Sequence, residues 1–160
     1  MIPPPWRRLR RSDLAGVLAV AAIVHPGYPE SEAVLGERLD LYPAGCFGLD
    51  GAEGLCGYLL SHPWHAGRPP KLDTCLGGLP ADADTYYVHD LALHPAAQGS
   101  GAATAILGHL FAVTATCPSL SLVAVNGSAA FWRRHGFAPA PGPDLASYGD
   151  DAVHMLRRRD

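Results

Sequence analysis

The stretch HPAAQGSGAATAILGHL, residues 94–110, joins a predicted strand to a predicted helix. Its glycines at positions 99 and 101 leave backbone N–H groups uncovered at the helix start, where the helix dipole also favours an anion. Ala103, Ile106, Leu107 and Leu110 then share one face of the helix. The stretch therefore predicts a phosphate-binding turn followed by a packed helix.

The composition limits what this turn belongs to. A chain of 160 residues with 48% hydrophobic content is long enough for one domain, which we predict to span residues 1–160. Twelve basic and 15 acidic residues give a net charge of −3 without a basic stripe, which argues against a nucleic-acid partner. Four cysteines without C-x-x-C pairs favour reduced thiols and a cytoplasmic location.

The segment WRRLRRSDLAGVLAVAAIV, residues 6–24, has two interpretations. Its basic front and apolar run are typical of a secretory signal, but Asp13 puts a charge where that run should begin. A helix capped by Ser12 or Asp13 and stopped by Pro26-Gly27 is the alternative that we favour. Its predicted apolar face comprises Leu14, Val17, Leu18, Ala21 and Ala22. The run is too short to span a membrane, so we predict no membrane partner.

The rest of the chain alternates between strand and helix patterns. Strands are predicted at 6–10, in a hairpin over 45–61 with its turn at 50–54, at 85–95, at 120–126 and in a terminal pair from Phe137 to near Leu156. Helices are predicted within 29–43, where Ser31 is the cap, and over 129–135. The proline- and glycine-rich segment from His62 to Asp84 is predicted to be a long loop.

Two common phosphate-binding motifs do not fit the turn. A dinucleotide fingerprint needs glycine where the chain has Thr104, and it needs an acidic residue near position 121. A P-loop needs Gly-Lys-Ser/Thr, which is absent from the sequence.

The remaining pattern resembles the GCN5-related N-acetyltransferase (GNAT) family. Its coenzyme A motif matches residues 98–103, QGSGAA, and its second signature matches residues 126–137, NGSAAFWRRHGF, at the expected separation. The resemblance implies an α/β fold whose mixed, mostly antiparallel sheet splays between strands 4 and 5, with about four flanking helices. It also implies an acyltransferase that uses acetyl-coenzyme A as co-substrate. The coenzyme-binding residues it implies are Leu91, Ala92, Leu93, Gln98, Gly99, Ser100, Gly101, Ala102, Ala103, Thr104, Asn126, Ala129, Phe131 and Trp132.

Within this family, three segments look like the arylalkylamine N-acetyltransferase branch: YPESEAVLGERLDLYPAGCF at 28–47, GYLLSHPW at 57–64 and YYVHDLALH at 86–94. That branch carries two histidines, two residues apart, which act through water as the base. The matching positions here are Tyr87 and His89, so the resemblance retains one histidine.

A base is needed because an alkylamine with a pKa of about 10.4 is almost wholly protonated at neutral pH and cannot attack a thioester. His89 is the predicted base, acting directly or through a water chain. The alternation of side chains along a strand predicts that His89 shares a face with Tyr87, Leu91 and Leu93. It predicts that Asp90 lies on the opposite face, where it would orient a neighbouring group.

Trp132 departs from the family pattern. Many members have tyrosine there and use it to protonate the departing thiolate, whereas an indole does not ionise usefully. Either the thiolate leaves unprotonated, or Tyr148 or another residue supplies the proton.

The acceptor site is predicted from acidic and aromatic residues. Tyr28 and Glu30 are the predicted substrate-binding residues besides His89, and Asp73, Asp82 and Asp84 lie in the long loop. Aromatic and acidic groups suit a cation with an apolar body, such as an arylalkylamine or a polyamine.

Other readings stay open. The acceptor is a protein amine in one alternative, and the chain is a catalytically silent coenzyme-binding module in another. His62 and His65 in a proline-rich segment are poor zinc ligands, so we predict no metal. The expected assembly is a monomer or a homodimer.

Overall fold

The computed structural model describes residues 1–159, so Asp160, the last residue of the predicted domain, lies outside them. Its strands are β1 (Trp6–Arg8), β2 (Cys46–Gly51), β3 (Gly54–Trp64), β4 (Thr85–Leu93), β5 (Ser119–Ala124), β6 (Ala138–Pro139) and β7 (Val153–Arg158). Its α-helices are α1 (Leu14–Val24), α2 (Glu32–Leu41), α3 (Ala102–Val113) and α4 (Ala129–Arg134). Among the described residues, no helix is long and apolar enough to cross a membrane.

The seven strands form one mixed sheet in the order β1-β2-β3-β4-β5-β7-β6. Every neighbouring pair is antiparallel except β4 and β5, which are parallel. These two strands pair only where Tyr86 meets Leu120 and Tyr87 meets Ser121. Beyond these pairs the strands separate, and we call the resulting gap the splay. The predicted α/β fold class and its splay are confirmed.

Two apolar clusters lie on opposite sides of the sheet. On one side, Ile106, Leu107 and Leu110 of α3 are fully buried against Phe47 and Leu59. This confirms three positions of the predicted helix face. On the other side, α1 buries Leu14, Val17 and Val20. The sheet is therefore covered on both faces.

The two N-terminal helices begin differently. Ser31 caps α2 as predicted, since its Oγ accepts a hydrogen bond from the Val34 N–H at 3.3 Å. Of the two predicted caps of α1, Ser12 and Asp13, Asp13 is the N-cap residue, but its side chain makes no capping hydrogen bond. Its carboxylate instead accepts two hydrogen bonds from the Arg7 guanidinium, at 2.8 and 2.9 Å, and one from the Arg10 N–H. Because the charged Arg7 side chain binds this carboxylate, the carboxylate does not bond the free N–H groups at the start of α1. The helix α1 continues directly from a 3₁₀ turn.

The predicted loop boundary at His62 is also wrong. Strand β3 continues to Trp64, and His62 pairs with Tyr87 in the sheet. The connection that follows, residues 65–84, is the β3–β4 loop. His62 is 1% exposed, so it is a core side chain.

Candidate active site

A bulge in β4 decides which side chains reach the site. Leu60 of β3 pairs with Asp90, and the next residue, Ser61, pairs with Val88, so His89 is an extra residue without a partner. The bulge breaks the strict alternation of side chains along the strand. His89 and Asp90 consequently lie on the same side of the sheet.

The predicted faces of β4 were therefore wrong in two respects. Leu91 and Leu93 pack against the α3 side of the core and do not share the face of His89. Asp90, expected on the opposite face, instead contacts the end of α1. A bulge depends on pairing with a distant strand, so a period-two pattern does not reveal it.

His89 is held by Glu30. The two side chains are 2% and 10% exposed, and His89 Nε2 lies 2.8 Å from Glu30 Oε1. The Asp73 N–H donates to the other carboxylate oxygen at 3.1 Å. Burial alone would raise the pKa of Glu30, but the charge and hydrogen bond of His89 outweigh it and the pKa is lowered.

This contact defines the tautomer of His89. An ionised carboxylate only accepts hydrogen bonds, so the Nε2 proton of His89 is donated to Glu30. In the neutral ring, the lone pair is then on Nδ1, which is buried and makes no hydrogen bond within residues 1–159. Glu30 thus holds the ring of His89 in one orientation, a contact different from the ammonium contact predicted for it.

A second histidine–carboxylate pair was missed by the sequence analysis. His25, the residue after α1, places Nε2 at 2.8 Å from Asp90 Oδ1, and the Tyr58 hydroxyl donates to the other oxygen of Asp90. On its other side, His25 Nδ1 lies 2.8 Å from Asn126 Nδ2. Burial lowers the pKa of His25, but the hydrogen bond and charge of Asp90 outweigh it and the pKa is raised. In the sequence, the only sign of this pair was the position of His25 directly before Pro26-Gly27, the predicted stop of the first helix.

Both pairs line a cavity of about 630 Å³ beside the splay. The predicted site residues on its wall are Tyr28, Glu30, Tyr87, His89, Leu91, Leu93, Ala103, Asn126, Phe131, Trp132 and Tyr148. Other predicted coenzyme residues lie outside the wall: Ala92, Gln98, Gly99, Ser100, Gly101, Ala102, Thr104 and Ala129. Ala92 is buried in the α1 side of the core. The predicted base, His89, and several of the predicted coenzyme-binding residues thus line the same cavity.

The turn before α3 retains the features of an anion site. Gly99 and Gly101 have φ of 76° and 84°, and an added Cβ at either would meet nothing within 4 Å. Within the described residues, no protein acceptor bonds the N–H of Gly99, Ser100, Gly101, Ala103 or Thr104. These amides and the start of α3 suit the pyrophosphate of coenzyme A.

Side-chain contacts hold this turn in place. Gln98 donates to the Leu93 carbonyl at 3.1 Å, and Ser100 donates to the Ala97 carbonyl at 2.6 Å. The Trp6 indole donates to the Ala102 carbonyl at 2.9 Å, which ties the first turn of α3 to β1. The turn is preorganised before any ligand arrives.

Tyr148 and Trp132 lie on different parts of the cavity wall. The Tyr148 hydroxyl donates to the Pro70 carbonyl at 2.8 Å, and burial, with the nearby charge of Glu30, raises its pKa. Burial likewise raises the pKa of Tyr87. Trp132 packs edge-on against Phe131 and Phe137.

The acidic residues of the β3–β4 loop do not line the cavity. Asp73 accepts from the Ser31 N–H, Asp84 accepts from the Ala66 N–H, and Asp82 lies 3.3 Å from His65. These carboxylates lie in contacts within or beside the loop, so Glu30 is the one predicted acceptor carboxylate on the described wall. Asp90, which was not predicted to contact the acceptor, is a second carboxylate there. Within residues 1–159, no three His, Cys, Asp or Glu side chains are grouped to hold a metal ion.

Residues 18–137, 120 of the 160 residues, match the model of the acetyltransferase (GNAT) family. The chain belongs to this family and is therefore an acyltransferase of the N-acetyltransferase type. A search of the curated proteins finds no match.

Solved structures share the fold at low sequence identity. The GNAT-like decarboxylase GphF, solved with isobutyryl-coenzyme A, is 16% identical with a TM-score of 0.77, covering 97% of this chain and 99% of that one. The loading GNAT-like domain of CurA from Lyngbya majuscula is 13% identical with a TM-score of 0.76 and 96% coverage of both chains. The ribosomal-protein-S18-alanine N-acetyltransferase of Escherichia coli is 19% identical with a TM-score of 0.68, covering 97% and 93%.

Proposed function

We propose that the chain transfers the acetyl group of acetyl-coenzyme A to the amine of a small molecule with an apolar body, an arylalkylamine in preference to a polyamine. Coenzyme A would bind through the amides of the Gly99–Thr104 turn. The acceptor would occupy the cavity beside the His89–Glu30 pair.

The observation that carries the small-molecule acceptor is a wall that two joined loops form on one side of this pair. Two hydrogen bonds join the β3–β4 loop to residues 140–152, which we call the β6–β7 loop. The Leu72 N–H donates to Ser147 Oγ at 3.0 Å, and the Tyr148 hydroxyl donates to the Pro70 carbonyl at 2.8 Å. A peptide acceptor needs an open groove along this side, whereas a small amine fits a closed pocket.

The charges of the cavity favour a single amine on an apolar body. Both cavity carboxylates are already engaged, Glu30 by His89 and Asp90 by His25. A second cationic group, as in a polyamine, would find no free carboxylate on the wall. The apolar and aromatic wall residues include Leu18, Tyr28, Leu35, Leu72 and Phe131.

The same pair explains how an amine would be activated. An alkylammonium must lose a proton before its nitrogen attacks the thioester carbon. His89, kept in one tautomer by Glu30, would accept that proton on Nδ1 once motion of the ring admits the amine or a water to this buried atom. Glu30 would stabilise the imidazolium that results, as the carboxylate does in a catalytic triad.

The test is a thiol-release screen with acetyl-coenzyme A over arylalkylamines, polyamines, amino acids and short peptides, with products identified by mass. We expect arylalkylamines to give the highest kcat/KM. Peptides as the best acceptors would overturn the small-molecule assignment. Coenzyme A binding without turnover on any amine would favour the silent module.

A further inference from the structure

The departing sulfur needs a proton, and the residues expected to donate it are poorly placed. Trp132 has an indole N–H that does not ionise usefully. The hydroxyl of Tyr148 is already donated to Pro70, and its pKa is raised. Among the described groups on the cavity wall, the other histidine is His25.

His25 is arranged so that one nitrogen is fixed and the other faces the coenzyme side. Asp90 accepts the Nε2 proton, while Asp90 itself is held by the Tyr58 hydroxyl. Nδ1 meets the side-chain amide of Asn126, which follows β5 in the turn before α4. His89 lies instead against Glu30, next to the β3–β4 loop. The two histidines thus line the same cavity, and each is paired with a different carboxylate.

We propose that His25 is a second catalytic histidine, which protonates the coenzyme A sulfur as the thioester breaks. This assignment rests on the proposed acetyl transfer. The ammonium first loses one proton to solvent through His89. The neutral amine nitrogen then forms its bond to the carbonyl carbon and gives a second proton to His89. The C–S bond breaks with its electron pair on sulfur, and the sulfur takes the Nδ1 proton of His25. Both histidines then return to their resting protonation by exchange with solvent.

The side chains around His25 all favour its charged form or tolerate it. Asp90 on β4 and Glu30 before α2 both raise its pKa, against the opposing effect of burial. Tyr58 on β3 is neutral and bonds only Asp90 in this group. Asn126 can present either its amide nitrogen or its oxygen to Nδ1 after a half-turn, so both protonation states find a partner. The surroundings of His25 therefore suit a group that holds a proton to donate.

Steady-state kinetics with His25→Gln test the assignment. We expect kcat to fall at least 10-fold while the Kd for coenzyme A changes less than threefold. In the wild type, kcat should decline as the pH rises through the pKa of His25, because the acid is then lost. This alkaline decline should be absent in His25→Gln and should remain in Tyr148→Phe.

An NMR titration of the His25 ring gives a readout that does not need turnover. The ring should titrate above 6.5 in the free enzyme, and Asp90→Asn should lower that pKa together with the midpoint of the alkaline decline. A ring that titrates below 6.5, or an unchanged kcat profile in His25→Gln, would overturn the assignment. A wild type that acetylates no amine would instead refute the proposed function, whatever the titration shows.

Discussion

His89 and Asp90 are consecutive residues of β4, yet both side chains face the same cavity and each is paired with a partner from another element. The bulge at His89 makes this possible, because regular alternation would have sent one of the two side chains into the opposite core. One irregular residue therefore brings both histidine–carboxylate pairs to the site.

Replacing His89 tests the base. We expect His89→Ala to lower kcat/KM by roughly 100-fold near neutral pH, with the loss shrinking at alkaline pH as the free amine fraction rises. His109→Ala is the matched control, since His109 lies on α3 against Phe47 and away from the cavity. An unchanged pH profile in His89→Ala would show that another group removes the proton.

Replacing Glu30 tests whether the carboxylate positions and charges His89. Glu30→Gln keeps the size of the side chain and an oxygen for Nε2 but removes the charge. We expect kcat/KM to fall about 10-fold, since the imidazolium loses its counter-charge. The exposed Glu32→Gln is the matched control. Equal kinetics for the two variants would limit Glu30 to a packing role.

The buried His62 predicts loss of stability in mild acid. Burial is the main cause that lowers its pKa from 6.5 to about 4. Between these values the unfolded chain binds a proton that the folded chain does not, so acidification favours unfolding. Between pH 7.5 and 5 this linkage costs about 2 kcal/mol of unfolding free energy.

Urea unfolding at both pH values, in the wild type and in His62→Gln, measures this contribution. The wild type should lose about 2 kcal/mol more than the variant, because the variant lacks the titrating ring. The same loss in both proteins would assign the acid sensitivity to other groups.

A bulky side chain at the turn before α3 tests the coenzyme site. Gly101→Trp should reduce coenzyme A affinity at least 100-fold, because the indole would occupy the open space above the uncovered amides. Gly108→Trp places the same side chain on the exposed face of α3, where an added Cβ also meets nothing within 4 Å. Calorimetric titration should show normal binding in this control. Retained affinity in a folded Gly101→Trp protein would contradict the site.

The parts of this molecule that local sequence encodes were predictable. The Gly99 and Gly101 turn, the Ser31 cap and the face of α3 depend on residues close in the chain. The resemblance to the arylalkylamine branch pointed to His89, which lies on the cavity wall, and its role as a base stays a prediction.

Features that depend on distant residues were not predictable in the same way. Glu30 and His89 are separated by 59 positions, and His25 and Asn126 by 101. Their pairing follows from the sheet order and from the bulge, neither of which leaves a periodic signal. The loop acids Asp82 and Asp84 had the right charge for an acceptor site, but turn formation explains their presence.

The hydrogen bonds that join the two loops also bear on how ligands exchange, because they decide how much free energy is needed to part the loops. Passage between the two loops requires breaking the Leu72–Ser147 and Tyr148–Pro70 bonds, each worth about 1 kcal/mol net. Opening therefore costs about 2 kcal/mol, which leaves roughly one molecule in thirty open at any instant. Because the joined arrangement is favoured by so little, the dwell time of a bound small molecule depends more on its own contacts with the cavity than on these loops.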